Sequence, residues 1–275
     1  MEGNDVDCEF KSYSKYLVIF VDILGSKNRN NFEEAYKINK IFHEEFARNK
    51  ENDKESNKYF RKIYSFSDCA YIFYGFREGI SDELKNESEL FKVALCNCEP
   101  IFLRFINERI IFRGGVAYGD AYVDPDKSMF FGDAVNRAYK LESEIAMHPR
   151  IVIEEDIAKL ILENIENVKY KTVANNPEYI AFLGAGRMPK MPFTGDGIIE
   201  QDIDGKYIFN YLHFPENDIL DLRYYTSGKE FIEELIDFCS EQIEKSTQYK
   251  IIDKYMYLKR FSETRLDNML INQIL

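Results

Sequence analysis

Two aspartates lie where the sequence predicts the ends of buried strands. Asp22 interrupts the apolar run LVIFVDILG, residues 17–25, and Asp68 follows Ser67 between two runs rich in β-branched and aromatic residues. An ionised carboxylate in an apolar strand is costly unless a cation or hydrogen-bond donors stabilise it. Each aspartate therefore has two interpretations. It is either a carboxylate at a strand end or turn, solvated or bonded to nearby amides, or a ligand of a divalent metal ion.

The elements that must position these carboxylates follow from hydrophobic periodicity. The sequence predicts, in order, a strand over 16–24, a helix over 31–46, a hairpin over 59–76, a helix over 88–108 and a strand over 109–123. The hairpin is predicted to turn at Ser67 and Asp68. In the first helix, the residues at helical spacing are Phe32, Ala35, Ile38, Ile41, Phe42 and Phe46. This order predicts an α+β fold, with a ferredoxin-like βαββαβ sheet and helices on one face.

The second half of the chain carries fewer chemical signals. IVIEEDIAKLI predicts a strand followed by a helix, and KYIFNYL predicts another strand. The Gly- and Pro-rich stretch 184–197 lacks the GKS or GKT of a P-loop and is predicted to be a loop. Two amphipathic helices, over 229–245 and 249–261, are expected to pack on the core.

Composition excludes several classes of function. The net charge of −12 argues against a broad nucleic-acid or anionic-membrane surface, so we expect neither partner. The five cysteines form no CxxC pair and the three histidines are far apart, which excludes a zinc pattern and indicates reduced thiols. With no apolar run of membrane-spanning length and a polar first segment, the expected location is the cytoplasm.

Four pieces of the chain together resemble the class III nucleotide cyclase domain. FVDILG, FSDCAY, FRGGVAYG and FFGDAVNRAYKLE match that family in order and spacing. Within the family, the NRAYKLE helix and the C-terminal KYMYLKRF helix are most similar to the Pycsar pyrimidine cyclases of bacterial antiphage defence. The resemblance implies a leader over 1–15, a cyclase homology domain over 16–212 and C-terminal helices over 213–275.

The resemblance implies a two-metal site. Asp22 and Asp68 occupy the two metal positions of the family, and Ile23 falls where a backbone carbonyl also ligates. The implied cofactors are two divalent ions, Mg²⁺ or Mn²⁺. Two carboxylates can bridge such a pair, in which one ion activates the ribose 3′-hydroxyl and the other clamps the triphosphate.

The positions that read the base differ from those of purine cyclases. Tyr64 and Met129 stand where purine cyclases similar to this chain carry a Lys and an Asp. Neither residue can form that charged pair, whereas a bulky tyrosine with one hydroxyl suits a pyrimidine. The alternative interpretation of Tyr64 is an aromatic side chain that only packs within the sheet. Arg113 has two interpretations, as a contact to the base or a phosphate, or as the partner of an internal acid.

The FFGDAVNRAYKLE helix is implied to carry the remaining catalytic groups. Asn136 matches the residue that orients the ribose, and Lys140, four residues on and on the same helix face, matches a transition-state arginine. Lysine keeps the positive charge but loses the bidentate fork of arginine. Arg137 is the fallback for that role. For Asn136 or Lys140 alone, a plain helix-surface residue is the favoured interpretation; for the two together, the functional interpretation is favoured.

Together these features predict a uridylate cyclase, a phosphorus–oxygen lyase that converts UTP to cyclic UMP and pyrophosphate. Cytidylate cyclase activity on CTP is the second choice. The resemblance implies a head-to-tail homodimer, in which one subunit gives the metals and the other the base pocket, and a separate effector that binds the product. The alternatives are a purine cyclase, or a catalytically inactive cyclase-like module.

Overall fold

A computed structural model describes residues 12–25, 31–51, 58–174, 197–213 and 228–272. Its helices and strands, in chain order, are β1 (Ser14–Ile23), α1 (Phe32–Glu51), β2 (Tyr59–Phe66), β3 (Cys69–Phe76), α2 (Glu87–Asn107), β4 (Phe112–Asp124), β5 (Met129–Gly132), α3 (Asp133–Lys140), β6 (Ile151–Ile153), α4 (Glu155–Ala174), β7 (Ile199–Gln201), β8 (Tyr207–Phe209), α5 (Gly228–Lys245) and α6 (Tyr249–Asn272). A π-helical segment, Leu141–Ile145, continues α3.

The described strands form one sheet with the order β2-β3-β1-β4-β6-β8-β7, and β5 pairs with the far end of β4. Within the part β2-β3-β1-β4 of this order, each strand is antiparallel to the next, and β1 lies between β3 and β4. With α1 and α2 as the two crossovers, this is the ferredoxin-like βαββαβ order that the sequence predicts. A parallel pairing of β6 with β4 extends the sheet.

The predicted hairpin is confirmed. Ser67 and Asp68 form its two-residue turn, and Ser67 has a positive φ of 55°. The predicted first helix is observed as α1, and Phe32 at its start is 77% exposed. Phe32 stacks on Tyr36 at the helix surface, whereas Ile38 and Phe42 do enter the core. The core-facing stripe thus begins about two turns into the helix.

The two faces of the sheet are covered differently. Leu17, Ile19 and Val21 of β1 point into the main core with α1 and α2. Val18 and Phe20 point to the opposite face, and strand alternation places Asp22 there as well. This second face is covered in part by α3.

A glycine in β4 allows α3 to lie directly on the sheet. A Cβ atom at Gly115 would lie 2.6 Å from Leu141 Cβ and closer still to the carbonyl oxygen of Ala138. No side chain fits between the strand and the end of α3 at this point. Glycine therefore fixes how closely α3, and the residues on it, approach the sheet.

Both C-terminal helices share the main core. The residues that α5 and α6 bury there include Phe231, Leu235, Cys239, Leu258 and Phe261. The expected packing of these helices is therefore observed. The expected loop over 184–197 lies outside the described residues except for Gly197, as does the expected leader up to residue 11. Across the described helices, no apolar stretch is long enough to span a membrane.

Candidate active site

The hairpin turn brings Asp68 to the end of β1, beside Asp22. Asp22 is paired in register with Cys69 of β3 on one side and with Arg113 of β4 on the other. The backbone N–H of Ile23 donates a 2.9 Å hydrogen bond to the carbonyl of Asp68. The two aspartates of the sequence prediction therefore lie together at one edge of the molecule, and Ile23 joins their backbones.

The charges at this point are strongly coupled. Burial, together with repulsion from Asp68, raises the pKa of the Asp22 carboxyl, and the nearby Arg113 guanidinium opposes this shift. A cation bound here, in addition to the Arg113 guanidinium, would lower the free energy of the two ionised carboxylates. The site thus has an excess of negative charge that a bound cation would relieve.

Arg113 joins Asp22 to a third acid, Glu142 of the π-helical segment. The guanidinium Nε lies 2.5 Å from Glu142 Oε1 and 3.6 Å from Asp22 Oδ2. Glu142 is 2% exposed, and burial raises its pKa to about 7 despite the attraction of Arg113. Of the two interpretations of Arg113, the structure shows the pairing with internal acids. Glu142 was not among the site residues predicted from the sequence, although it is the last residue of the NRAYKLE segment.

The donor set fits a hard divalent cation that shares its coordination with phosphate. Carboxylate and carbonyl oxygens are the ligands that Mg²⁺ and Mn²⁺ prefer, and Mg²⁺ is commonly held by one or two carboxylates plus substrate phosphates. Within the described part of the chain, no group of three or more His, Cys, Asp or Glu side chains is arranged to hold a metal alone. Asp22, Asp68 and the carbonyl of Ile23 would therefore need phosphate oxygens to complete a metal site.

Tyr64 lies on the same sheet face but away from the carboxylates. Tyr64 lies on β2, two strands away from Asp22 on β1, and is offset from it by two residues along the strand direction. This corresponds to about 12 Å between the two Cα atoms. Its ring packs against Phe130 and Phe73, with centroid distances of 4.8 and 5.7 Å, and its hydroxyl donates a 3.3 Å hydrogen bond to the carbonyl of Asp124. Burial raises the pKa of this hydroxyl to about 12, so it stays protonated.

Met129 is not brought against Tyr64 in this subunit. It is 40% exposed at the start of β5, and alternation along this strand places it on the side opposite Phe130, the residue that contacts Tyr64. Phe130, and not Met129, is thus the residue of β5 that contacts Tyr64 in the described part of the chain.

Asn136 and Lys140 both lie on the exposed side of α3. Lys140 has one nearby carboxylate, 3.8 Å away on Glu144. By contrast, Arg137 is held inside the subunit. Its guanidinium donates to Asp133 and to the carbonyl of Tyr118 at 2.7 Å each, and to Glu154. These contacts hold Arg137 within its own subunit, and its role as the fallback for the transition-state arginine stays a prediction.

A lysine of the last helix is an electrostatic neighbour of this site. Lys254 of α6 interacts electrostatically with both Arg113 and Asp22, and burial together with repulsion from Arg113 lowers the pKa of its ammonium. The KYMYLKRF helix was predicted from the sequence without a chemical role for this lysine.

Part of the second sheet face is uncovered, and the side chains on that part are aromatic. We name this surface the open sheet face; its residues are Tyr64, Phe66, Tyr71, Phe130 and Tyr139. Phe66 is 76% exposed and Tyr139 is 52% exposed. Large aromatic side chains exposed on one face, such as Phe66 and Tyr139, are typical of an interface with another molecule.

Two solved guanylyl cyclase domains resemble the structure weakly. The monomeric guanylyl cyclase domain of the RhoGC fusion protein from the aquatic fungus Blastocladiella emersonii is 20% identical with a TM-score of 0.41, covering 56% of this chain and 88% of that chain. The guanylyl cyclase Cya2 is 16% identical with a TM-score of 0.39, covering 55% of this chain and 80% of that chain. No protein-family model matches the sequence. No curated protein matches it either. Likeness at this level assigns no activity to the chain.

Proposed function

We propose that this protein is a nucleotide cyclase that acts on a pyrimidine ribonucleoside triphosphate. The observation that carries the proposal is the meeting of Asp22 and Asp68 at adjacent strand ends of a βαββαβ sheet. The N–H of Ile23 bonds to the Asp68 carbonyl, and the Asp68 charge raises the pKa of Asp22. Two carboxylates in this arrangement suit a pair of divalent ions and the phosphates that the ions bind.

In this reaction the ribose 3′ oxygen attacks the α phosphorus, and the bond from that phosphorus to the oxygen bridging it to the β-phosphate breaks. Pyrophosphate leaves, and the proton of the 3′-hydroxyl passes to solvent. Bound Mg²⁺ or Mn²⁺ would supply positive charge at the phosphates and at the 3′-hydroxyl. Asp22 and Asp68 would hold the ions, and Arg113 with Glu142 fixes the orientation of the Asp22 carboxylate.

A second copy of the chain would complete the site. The Tyr64 hydroxyl is bonded to Asp124, eleven residues along β4 from Arg113, the register partner of Asp22, and is thus directed away from the carboxylates, while Asn136 and Lys140 are exposed on α3. The open sheet face supplies the apolar surface that a head-to-tail homodimer needs. In that dimer, Asn136 of the second copy would orient the ribose and its Lys140 would neutralise charge on the α-phosphate.

The pyrimidine preference rests on Tyr64 and Met129 in place of a charged pair. Because the Tyr64 hydroxyl proton is bonded to the Asp124 carbonyl, its oxygen is left to accept a hydrogen bond. N3–H of uracil and the 4-amino group of cytosine are suitable donors. We therefore keep UTP as the first substrate and CTP as the second. By the resemblance, the cyclic product acts in the cytoplasm on a separate effector in defence against phage.

An inactive nucleotide-binding module is the second candidate. The observation that favours it is the Glu144 carboxylate 3.8 Å from Lys140, because this carboxylate offsets part of the charge that would face the α-phosphate. Such a module would bind Mn²⁺ through Asp22 and Asp68 without forming a product.

Incubation of the purified chain with each of the four ribonucleoside triphosphates and Mn²⁺ tests the proposal, with products resolved by mass. We expect cyclic UMP, or cyclic CMP, and its loss in Asp68→Asn. Cyclic AMP or cyclic GMP as the main product would contradict the pyrimidine assignment and leave the cyclase assignment intact. Absence of any cyclic product, with Mn²⁺ binding retained, would support the inactive module.

A further inference from the structure

The turn that carries Asp68 is held by a polar side chain of α1. The amide nitrogen Nδ2 of Asn39 donates a 3.1 Å hydrogen bond to the carbonyl of Ser67 and a 2.9 Å hydrogen bond to the carbonyl of Ala35. Ala35 lies one helical turn before Asn39, so this second bond fixes the rotamer of the side chain. Because both amide protons are used, Asn39 forms a fixed link between α1 and the β2–β3 turn.

A second polar contact joins the same two elements. The Nε2 atom of His43, one turn after Asn39 on α1, lies 2.9 Å from the hydroxyl oxygen of Ser65. The core side of this stretch of α1 is anchored as well, because Phe42 is completely buried and Ile38 is 3% exposed. The helix therefore cannot rotate away from the turn without losing its packing in the main core.

The turn has a backbone conformation that needs support. The φ of Ser67, 55°, lies in the left-handed region, which is unfavourable for a residue with a Cβ atom. Such a conformation persists when surrounding contacts hold it, and the hydrogen bond from Asn39 to the Ser67 carbonyl is a contact of this kind. Loss of this bond should leave the turn free to relax.

The two peptide groups that flank the Cα atom of Asp68 are both held by hydrogen bonds. The preceding peptide contains the Ser67 carbonyl, which accepts from Asn39. The following peptide contains the Asp68 carbonyl, which accepts a 2.9 Å bond from the N–H of Ile23. The orientations of these two peptides define φ and ψ of Asp68, and therefore the direction of its Cα–Cβ bond. Asn39 and Ile23 together thus set where the Asp68 carboxylate can point.

We infer that Asn39 is a positioning residue for the candidate metal site, acting through the Ser67–Asp68 peptide on the Asp68 carboxylate. Asn39 would not bind a metal ion itself. The inference rests on the proposed function for the role of Asp68 as a metal ligand, and it gives α1 a part in a site otherwise built from strand ends. Replacing a residue that orients a metal ligand typically weakens metal binding by about 10–100-fold.

Mn²⁺ binding to the full chain, followed by electron paramagnetic resonance of the free ion, tests the inference without requiring turnover. We expect Asn39→Ala to weaken Mn²⁺ binding about tenfold or more, because the Asp68 carboxylate is then no longer held beside Asp22. Asn164→Ala is the matched control, since Asn164 lies on α4 and accepts a hydrogen bond from Lys92 rather than contacting the turn. It should change the affinity less than about twofold.

Asn39→Gln separates positioning from the mere presence of a polar side chain. Glutamine keeps the amide donors on a side chain one methylene longer, so it should restore part of the Mn²⁺ affinity that alanine loses. An affinity no better than that of Asn39→Ala would count against the hydrogen bond to Ser67 as the cause.

Hydrogen exchange of the Ile23 amide gives a second readout that needs no metal. This amide bonds to the Asp68 carbonyl, so Asn39→Ala should speed its exchange about tenfold, whereas a general loss of stability would speed exchange across all core strands. The inference is overturned if Asn39→Ala binds Mn²⁺ as tightly as the wild type, or if the Ile23 amide exchanges at the wild-type rate. A wild type that does not bind Mn²⁺ would overturn both the inference and the proposed function. Weaker Mn²⁺ binding in Asn39→Ala, in a chain that cyclises no nucleotide, would contradict the proposed function alone.

Discussion

Replacing Gly115 by alanine should displace α3 and lower both stability and activity. The new Cβ would lie 2.6 Å from Leu141 Cβ and closer to the Ala138 carbonyl oxygen. Carbon atoms pack at roughly 3.5 Å, so α3 must move by about 1 Å. Overpacking of this kind costs about 1–3 kcal/mol of unfolding free energy. Because α3 carries Asn136 and Lys140, a displacement of about 1 Å should also lower kcat by about a hundredfold.

Gly119→Ala is the matched control on the same strand and the same sheet face. There the new Cβ would meet the Nη2 atom of Arg137 at 2.6 Å, so it would displace a guanidinium bonded to the Tyr118 carbonyl and not the backbone of α3. We expect it to lower stability by up to about 2 kcal/mol, the cost of losing the Arg137 contacts, and to lower kcat less than Gly115→Ala does. The reasoning is refuted if Gly115→Ala unfolds within about 0.5 kcal/mol of the wild type and keeps its kcat, since α3 would then not be set by this contact.

Three further substitutions test separate parts of the structure. Asp22→Asn removes a half-buried carboxylate whose pKa is raised in the folded state, so at pH 7 the metal-free variant should be more stable than the wild type. It should also lose the stabilisation by Mn²⁺, about 2.7 kcal/mol at a hundredfold excess over Kd, as measured by urea unfolding. Glu99→Gln should flatten the pH dependence of stability. Burial raises the pKa of Glu99 to about 8 from 4.5, so wild-type stability should fall by up to about 3 kcal/mol from pH 5 to 7.5; an equally steep variant would contradict this. Arg137→Met should lower the unfolding free energy by about 2 kcal/mol. This is less than the loss of a fully buried ion pair would cost, because the Arg137 side chain is 36% exposed.

Local patterns were sufficient to predict most of the sheet. β1 and the β2–β3 hairpin have the apolar and aromatic runs of buried strands, and the turn at Ser67 and Asp68 is the polar break between them. The short strand β5 was missed because four residues carry little periodicity and it forms only by pairing with β4. The exposure of Phe32 could not be predicted from helical spacing, because the spacing identifies a stripe but not where along the helix the core begins.

The candidate site could be predicted only in part, because several of its contacts join distant segments. The meeting of Asp22 with Asp68 followed from strand order. Which partner Arg113 takes depends on how close α3 lies to β4, and Glu142 enters the site only through the π-helical segment. Lys254 lies 141 residues after Arg113 in the sequence, and no local pattern indicates that the two side chains interact electrostatically.

The most direct test of the central claim is to locate Mn²⁺ by anomalous diffraction in crystals grown with a nucleoside triphosphate that lacks the 3′-hydroxyl. The account predicts ions bound to the carboxylates of both Asp22 and Asp68, with oxygen distances of about 2.2 Å. It also predicts that Arg113 remains paired with Glu142. Ions bound elsewhere, with Asp22 still contacting only Arg113 and Glu142, would contradict the claim that these two aspartates form the metal site.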